Sequence, residues 1–362
     1  MSLQAFALVV FSALMAGASA QGLAKFGIWV PLYVDAGSDT QYQALIRSVE
    51  ADPCLKDSFH GAILTGPHSR PPTANTKEDV QIIKERGGKA LDPEKIIEYN
   101  CDDNTTCTLS QVEQRLAEED KLYRSRYDLI KDTKQWQAFG YVFTRWSNRN
   151  IQLVYNDIDT WLAPGADGYG DYVQGIFVDQ VATDLDKPKV REFYANVADY
   201  VKSYGKLLVF NPGTNWDECD FVRDHKQIDF LGNLENFYDK WNPADTGCRC
   251  RKETVCIASI HRYPEAKAGE DLSANIAQTL RTLANGGYGA AFLTERHMPW
   301  HYLRLPEIWP QVVEQACLVE APATGDYDAA AEDAAAADAA PGNSGANDKG
   351  NGGGSGNRRM LA

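Results

Sequence analysis

Short apolar runs, too brief for a helix face, alternate along this chain with longer stretches in which apolar residues recur every three or four positions. The runs predict strands over 26–34, 61–65, 139–144, 173–179, 207–211, 228–235, 255–261 and 288–294. The periodic stretches predict helices over 41–50, 111–135, 153–162, 189–204, 273–284 and 305–317. Strands that alternate with helices over about 300 residues argue for a parallel (β/α)8 barrel of the TIM type, with a long insertion after the second strand. The alternative, a doubly wound sheet, lacks the Gly-x-Gly-x-x-Gly turn that would open a helix after the first strand.

The fourth strand, Gly175-Ile176-Phe177-Val178-Asp179, reads as buried on both faces and ends on a carboxylate. Alternation puts Ile176 and Val178 on one face and Phe177 and Asp179 on the other. Asp179 is then either the cap of the following turn or part of a polar site, because an unpartnered buried carboxylate costs several kcal/mol. In the sixth strand the same rule puts Leu231, Asn233 and Glu235 on one face and Phe230, Gly232 and Leu234 on the other.

Composition sets the context. Residues 1–20 carry an apolar run followed by Ala18-Ser19-Ala20, the pattern of a cleaved signal peptide, so the expected mature chain is a secreted domain over 21–320. No other run is long enough to span a membrane. The eight cysteines, 54, 101, 107, 219, 248, 250, 256 and 317, fit four disulfides in an oxidising compartment. The rival, a zinc site at Cys248, Cys250 and Cys256, has poor spacing. No metal and no cofactor are expected. Asn104-Thr105-Thr106 is an N-glycosylation acceptor in a cysteine-bounded loop. The segment 321–362, rich in Ala, Asp, Gly and Asn, reads as a disordered tail. A net charge of −14, part of it in that tail, disfavours nucleic acid and anionic membranes and would attract a cationic ligand such as an amino sugar polymer. A monomer is expected.

In such a barrel the working groups project from the C-terminal strand ends. Those ends read Tyr33 and Asp35, Thr65 with His68, Thr144 with Arg145 and Trp146, Asp179, Asn211, Asn233 with Glu235, His261, and Thr294 with Glu295. Asp179 and Glu235 form a candidate carboxylate pair, which is what glycosidic bond cleavage needs: one group to attack or stabilise, one to protonate the leaving oxygen. The competing reading pairs Glu235 with Arg145 or Arg262 as a structural salt bridge. Trp146, Trp216, Trp241 and Trp300 follow strands three, five, six and eight, as sugar platforms or as packed loop anchors.

These residues carry a resemblance. Val30-Pro31-Leu32-Tyr33, Gly140-Tyr141-Val142-x-Thr144, Gly175 to Asp179, Asn211-Pro212-Gly213-Thr214, Leu234-Glu235 and Gly287-Tyr288-Gly289 follow in order the pattern of the spherulin 4 family, glycoside hydrolase family 135. The chain resembles it over roughly residues 27–317, the insertion excepted. The resemblance implies a barrel hydrolase of α-1,4-linked galactosamine or N-acetylgalactosamine polymers. It implies Asp179 as nucleophile or stabiliser and Glu235 as general acid/base. Tyr33, Asp35, Thr144, Trp146, Gln180, Asn211, Asn233 and His261 are the expected substrate contacts. The chain departs from the family in two places: Gln180 stands where a second acid is usual, and Thr65-Gly66-Pro67-His68-Ser69 replaces an Asn-Pro-x-x-Gly-Pro-Gly segment. A non-catalytic wall or coat protein that binds glycan through the same barrel is the alternative function.

Overall fold

The computed structural model describes residues 25–32, 58–64, 109–131, 136–165, 168–214, 216, 218–225, 228–242, 247–248, 250, 254–264, 271–296 and 305–320, with isolated positions between 40 and 51. The strands are β1 (Lys25–Leu32), β2 (Ser58–Leu64), β3 (Trp136–Phe143), β4 (Gly175–Asp179), β5 (Leu207–Asn211), β6 (Phe230–Phe237), β7 (Val255–His261) and β8 (Tyr288–Leu293). The helices are α1 (Leu109–Lys131), α2 (Ile151–Leu162), α3 (Pro188–Ser203), α4 (Cys219–Asp224), α5 (Leu272–Asn285) and α6 (Trp309–Ala316). All eight strands pair in parallel and in order, and β1 closes on β8 through Gly27 opposite Ala290 and Ile28 opposite Ala291. The expected (β/α)8 barrel is the fold. The short helix α4 was not predicted: its six residues span less than two turns, too few for a period to show.

Two apolar layers hold the barrel. The lumen is filled by one inward side chain after another, among them Trp29, Ile63, Phe139, Phe177, Val209, Phe230 and Ile257. The larger outer layer packs helices onto strands, and Gly140 shows why small residues matter there. A Cβ on Gly140 would lie 2.3 Å from the Trp161 ring. Its absence lets α2 lie close on β3, where the Trp161 indole N–H donates to the Tyr141 carbonyl at 3.0 Å. Helix starts follow local chemistry: Asn150 and Asp271 accept from the backbone N–H groups of Gln152 and Ala274, and prolines open α3 and α6.

Cys219 is bonded to Cys250 and Cys248 to Cys256, while Cys317 is also in a disulfide. The zinc alternative fails, because all three of its ligands are consumed as disulfide sulfurs. Cys54, Cys101, Cys107, Asn104, the insertion after β2, the segment 1–20 and the tail from 321 lie outside the described residues. No helix among the described residues is long and apolar enough to cross a membrane.

Candidate active site at the C-terminal mouth

The site is built on β3 to β7. On β4, alternation holds to the last residue: Phe177 faces the lumen and so does Asp179, whose register neighbours are Phe143 on β3 and Asn211 on β5. Tyr141, one layer deeper on β3, donates its hydroxyl to Asp179 Oδ2 at 2.5 Å, and the Asn211 amide donates to Asp179 Oδ1 at 2.8 Å. The Asn211 side-chain oxygen in turn accepts from the Gly213 N–H at 3.2 Å. Both carboxylate oxygens are therefore fixed by donors from neighbouring strands.

Glu235 reaches the same lumen by a route that simple alternation misses. Phe230 lies in the lumen and Leu231 in the outer layer, so an unbroken strand would send residue 235 outward. A bulge between Gly232 and Leu234 adds one residue against β7 and restores the inward direction, so that Leu234 packs outside and Glu235 pairs in register with Ser259. The expected grouping of Leu231 with Glu235 on one face is corrected accordingly. Glu235 Oε1 lies 3.3 Å from His261 Nε2, and a Cβ on Gly213 would lie 3.5 Å from Oε2. Gly213 itself adopts φ +68, the left-handed region that favours glycine.

The two acids act on each other. Asp179 is pushed up from the ordinary carboxylate range to about 6, first by burial and then by the negative charge of Glu235. Hydrogen bonds from Tyr141, the Gln180 backbone and Asn211 pull the other way. The arginines that the salt-bridge reading offered to Glu235 are engaged with rings: Arg145 lies over Phe143, and Arg262 over Phe237, as does Lys240.

The remaining expected residues divide. Thr144 is fully buried, so it is not a cleft residue. Its hydroxyl reaches the carbonyls of Asp179 and Gln180 at 3.0 and 2.9 Å and the Tyr194 hydroxyl at 3.0 Å, and thus secures the end of β4. Asn233 is buried at the bulge, where neither polar atom of its side chain has a hydrogen-bond partner among the described residues. Gln180 has φ +55, so the alternation that would point it away from Asp179 stops at residue 179. Its carbonyl accepts from the Trp146 N–H at 2.9 Å. Arg145, Trp146 and Ser147 are left-handed in succession, at a cost of about 1–2 kcal/mol for each L-residue. Trp146 is exposed, whereas Trp216 is buried against Phe210 and Phe221 as a packing anchor, and Trp241 packs on Tyr238. Thr294 is buried and Glu295 pairs with Arg296. Tyr33, Asp35, His68 and Trp300 lie outside the described residues.

Tyr141 was not singled out as a site residue. The signal was present: it shares the inward face of β3 with Phe139, and a phenol in a packed lumen needs a partner for its hydroxyl.

Fold and site together define a parallel (β/α)8 barrel that brings two acids to its C-terminal mouth. The chain belongs to the spherulation-specific family 4, whose family model (Spherulin4) matches residues 110–316. Among solved structures it is similar to Aspergillus clavatus Sph3 in complex with GalNAc, at 17% identity, covering 81% of this chain and 98% of that one with a TM-score of 0.54. It is also similar to the endo-beta-1,4-mannanase from Thermotoga petrophila, at 9% identity over 84% of this chain and 77% of that one, with a TM-score of 0.43. No curated protein matches the chain.

Proposed function

We propose that this protein is a secreted glycoside hydrolase that cleaves α-1,4-linked galactosamine or N-acetylgalactosamine polysaccharide within the chain and with retention, using Asp179 and Glu235. The observation that carries the reading is the mutual effect of the acids: Glu235 is near enough to raise Asp179, and both side chains belong to one lumen. In such a pair the shared proton belongs to both groups. Burial and the Glu235 charge raise Asp179 and three donors oppose that rise, so the proposed reaction runs from the state in which Asp179 is ionised and Glu235 carries the proton. Asp179 then attacks the anomeric carbon while Glu235 protonates the departing oxygen; in the second half Glu235 takes a proton from the water that displaces Asp179. His261, 3.3 Å from Glu235 Oε1, orients that carboxyl. The GalNAc bound to Sph3 supports an amino sugar as ligand. The disulfides and the apolar leader support secretion.

The test is release of reducing ends from partly deacetylated galactosaminogalactan. The wild type is expected to release them, and Glu235→Gln to lower the rate at least about 100-fold, the usual contribution of a general acid, with binding retained. Full activity in Glu235→Gln would remove the acid/base assignment. A non-catalytic glycan-binding protein is the second reading, favoured by Gln180 at the position where the family usually has an acid. Binding without any release by the wild type would establish it.

A further inference from the structure

Trp146 stands apart from the other tryptophans among the described residues. Trp29, Trp136, Trp161, Trp216 and Trp309 are at most 4% exposed, whereas Trp146 is 50% exposed. It sits on the turn after β3, at the barrel end that carries Asp179 and Glu235. Among the described residues its ring stacks on no other. The backbone beneath it is held in a conformation that L-residues avoid, with φ of 50, 52 and 65 at Arg145, Trp146 and Ser147. Left-handed residues of this kind persist where surrounding contacts over-determine them, and they concentrate at ligand clamps.

The contacts are specific. The Trp146 N–H donates to the Gln180 carbonyl, which the Thr144 and Tyr194 hydroxyls also hold, at 2.9 and 3.3 Å. Asn148 closes the turn: its backbone N–H donates to the Arg145 carbonyl at 2.9 Å, and its side chain reaches the same oxygen at 3.0 Å. One hydrogen bond thus separates the backbone of Trp146 from the residue that follows Asp179. An exposed indole on a stiff, strained turn loses little further freedom when it binds, and its flat apolar face matches the face of a pyranose ring.

We propose that Trp146 is the platform of a sugar-binding subsite next to Asp179, on which one unit of the glycan chain stacks. This rests on the glycan reading above, but it concerns binding rather than bond cleavage. The left-handed turn, pinned through the Gln180 carbonyl, sets the height of the indole relative to Asp179. Gln180 serves the platform through its main chain, whatever its side chain does.

The experiment measures binding of an α-1,4-linked N-acetylgalactosamine hexasaccharide to Glu235→Gln protein by calorimetry and indole fluorescence. Adding Trp146→Ala is expected to weaken binding at least 10-fold, and Trp146→Tyr to recover it to within about threefold of the parent, as aromatic stacking requires. Both variants are expected to keep the parent's melting midpoint, because the side chain is half exposed. Binding by Trp146→Ala within twofold of the parent, a Tyr variant no better than Ala, or no binding by the parent at millimolar hexasaccharide would each overturn the proposal. A wild type that binds through Trp146 but releases no reducing ends would refute hydrolysis and leave the platform standing. Hydrolysis combined with Trp146-independent binding would do the reverse.

Discussion

Tyr141 and Asp179 sit on adjacent strands one layer apart, and the phenol of the first donates to Oδ2 of the second at 2.5 Å. This bond opposes the burial and the Glu235 charge that raise Asp179 to about 6. Tyr141→Phe removes it and moves Asp179 further up, by roughly one unit if the bond is an ordinary charge-assisted one of about 1.5–3 kcal/mol shared with two other donors. The proposed hydrolysis needs Asp179 ionised, so the acidic limb of the kcat/KM profile is expected to shift to higher pH. Activity at pH 6 should fall about fivefold, as the ionised fraction drops, and recover above pH 7.5. A pH profile of reducing-end release checks this, and an unmoved limb would contradict it.

Asp179 also links stability to pH. Its folded value lies above the ordinary 3.8, so the folded state binds the proton more tightly than the unfolded chain does. The stability from that proton is fully present below about pH 4 and is lost as pH rises through about 6, amounting to about 1–3 kcal/mol. Asp179→Asn cannot ionise. Its melting midpoint relative to wild type is expected to be higher at pH 8 than at pH 4.5, at the expense of activity. A difference in midpoint that does not change with pH would exclude this linkage.

Gly232 adjoins Asn211 at the bulge of β6. A Cβ there would lie 2.6 Å from Asn211 Oδ1, closer than real contacts allow, and the same oxygen is held from the other side by the Gly213 N–H. Gly232→Ala is therefore expected to displace the Asn211 amide and weaken its bond to Asp179 Oδ1. The outcome should be a loss of activity of about 10-fold or more, as expected for a charge-assisted bond of about 1.5–3 kcal/mol. Gly213→Ala should differ in kind. Its Cβ would make only ordinary contact with Glu235, so a left-handed alanine costs about 1–2 kcal/mol of stability with a smaller effect on rate. Melting curves and steady-state kinetics of the two variants separate these effects.

The Cys219–Cys250 bond closes a loop between residues 31 apart, which by chain entropy contributes about 3–4 kcal/mol. It ties α4 to the segment that leads into β7. Replacing both cysteines by serine is expected to lower the melting midpoint by several degrees, as is reduction with dithiothreitol. Reduced protein that melts like the oxidised form would show that this cross-link contributes little.

Much of this was legible beforehand, and the residues show why. Phe177 and Asp179 could be placed on one face because β4 is five residues long and regular, so a period of two runs through it unbroken. Pairing in order around a barrel followed from the alternation of strands and helices. Glu235 was expected at the mouth on the face of Leu231, and the strand instead turns it to the opposite face. The bulge in β6 depends on how that strand meets β7 and on the room left by Gly232 beside Asn211, which no local pattern contains. Thr144 is the converse case: its position at a strand end suggested the cleft, and the packing of Tyr194 from α3 turned it inward.

Local chemistry by itself determined the strands and longer helices, their order and the closed parallel sheet, because strand and helix periods are properties of neighbouring residues. Contacts between residues far apart in the chain decided the rest. Tyr141 and Asn211 hold Asp179, His261 meets Glu235, and the Gln180 carbonyl holds Trp146 in its left-handed turn. Such directions and proton affinities depend on distances across the barrel lumen, and these exist only once the strands have closed.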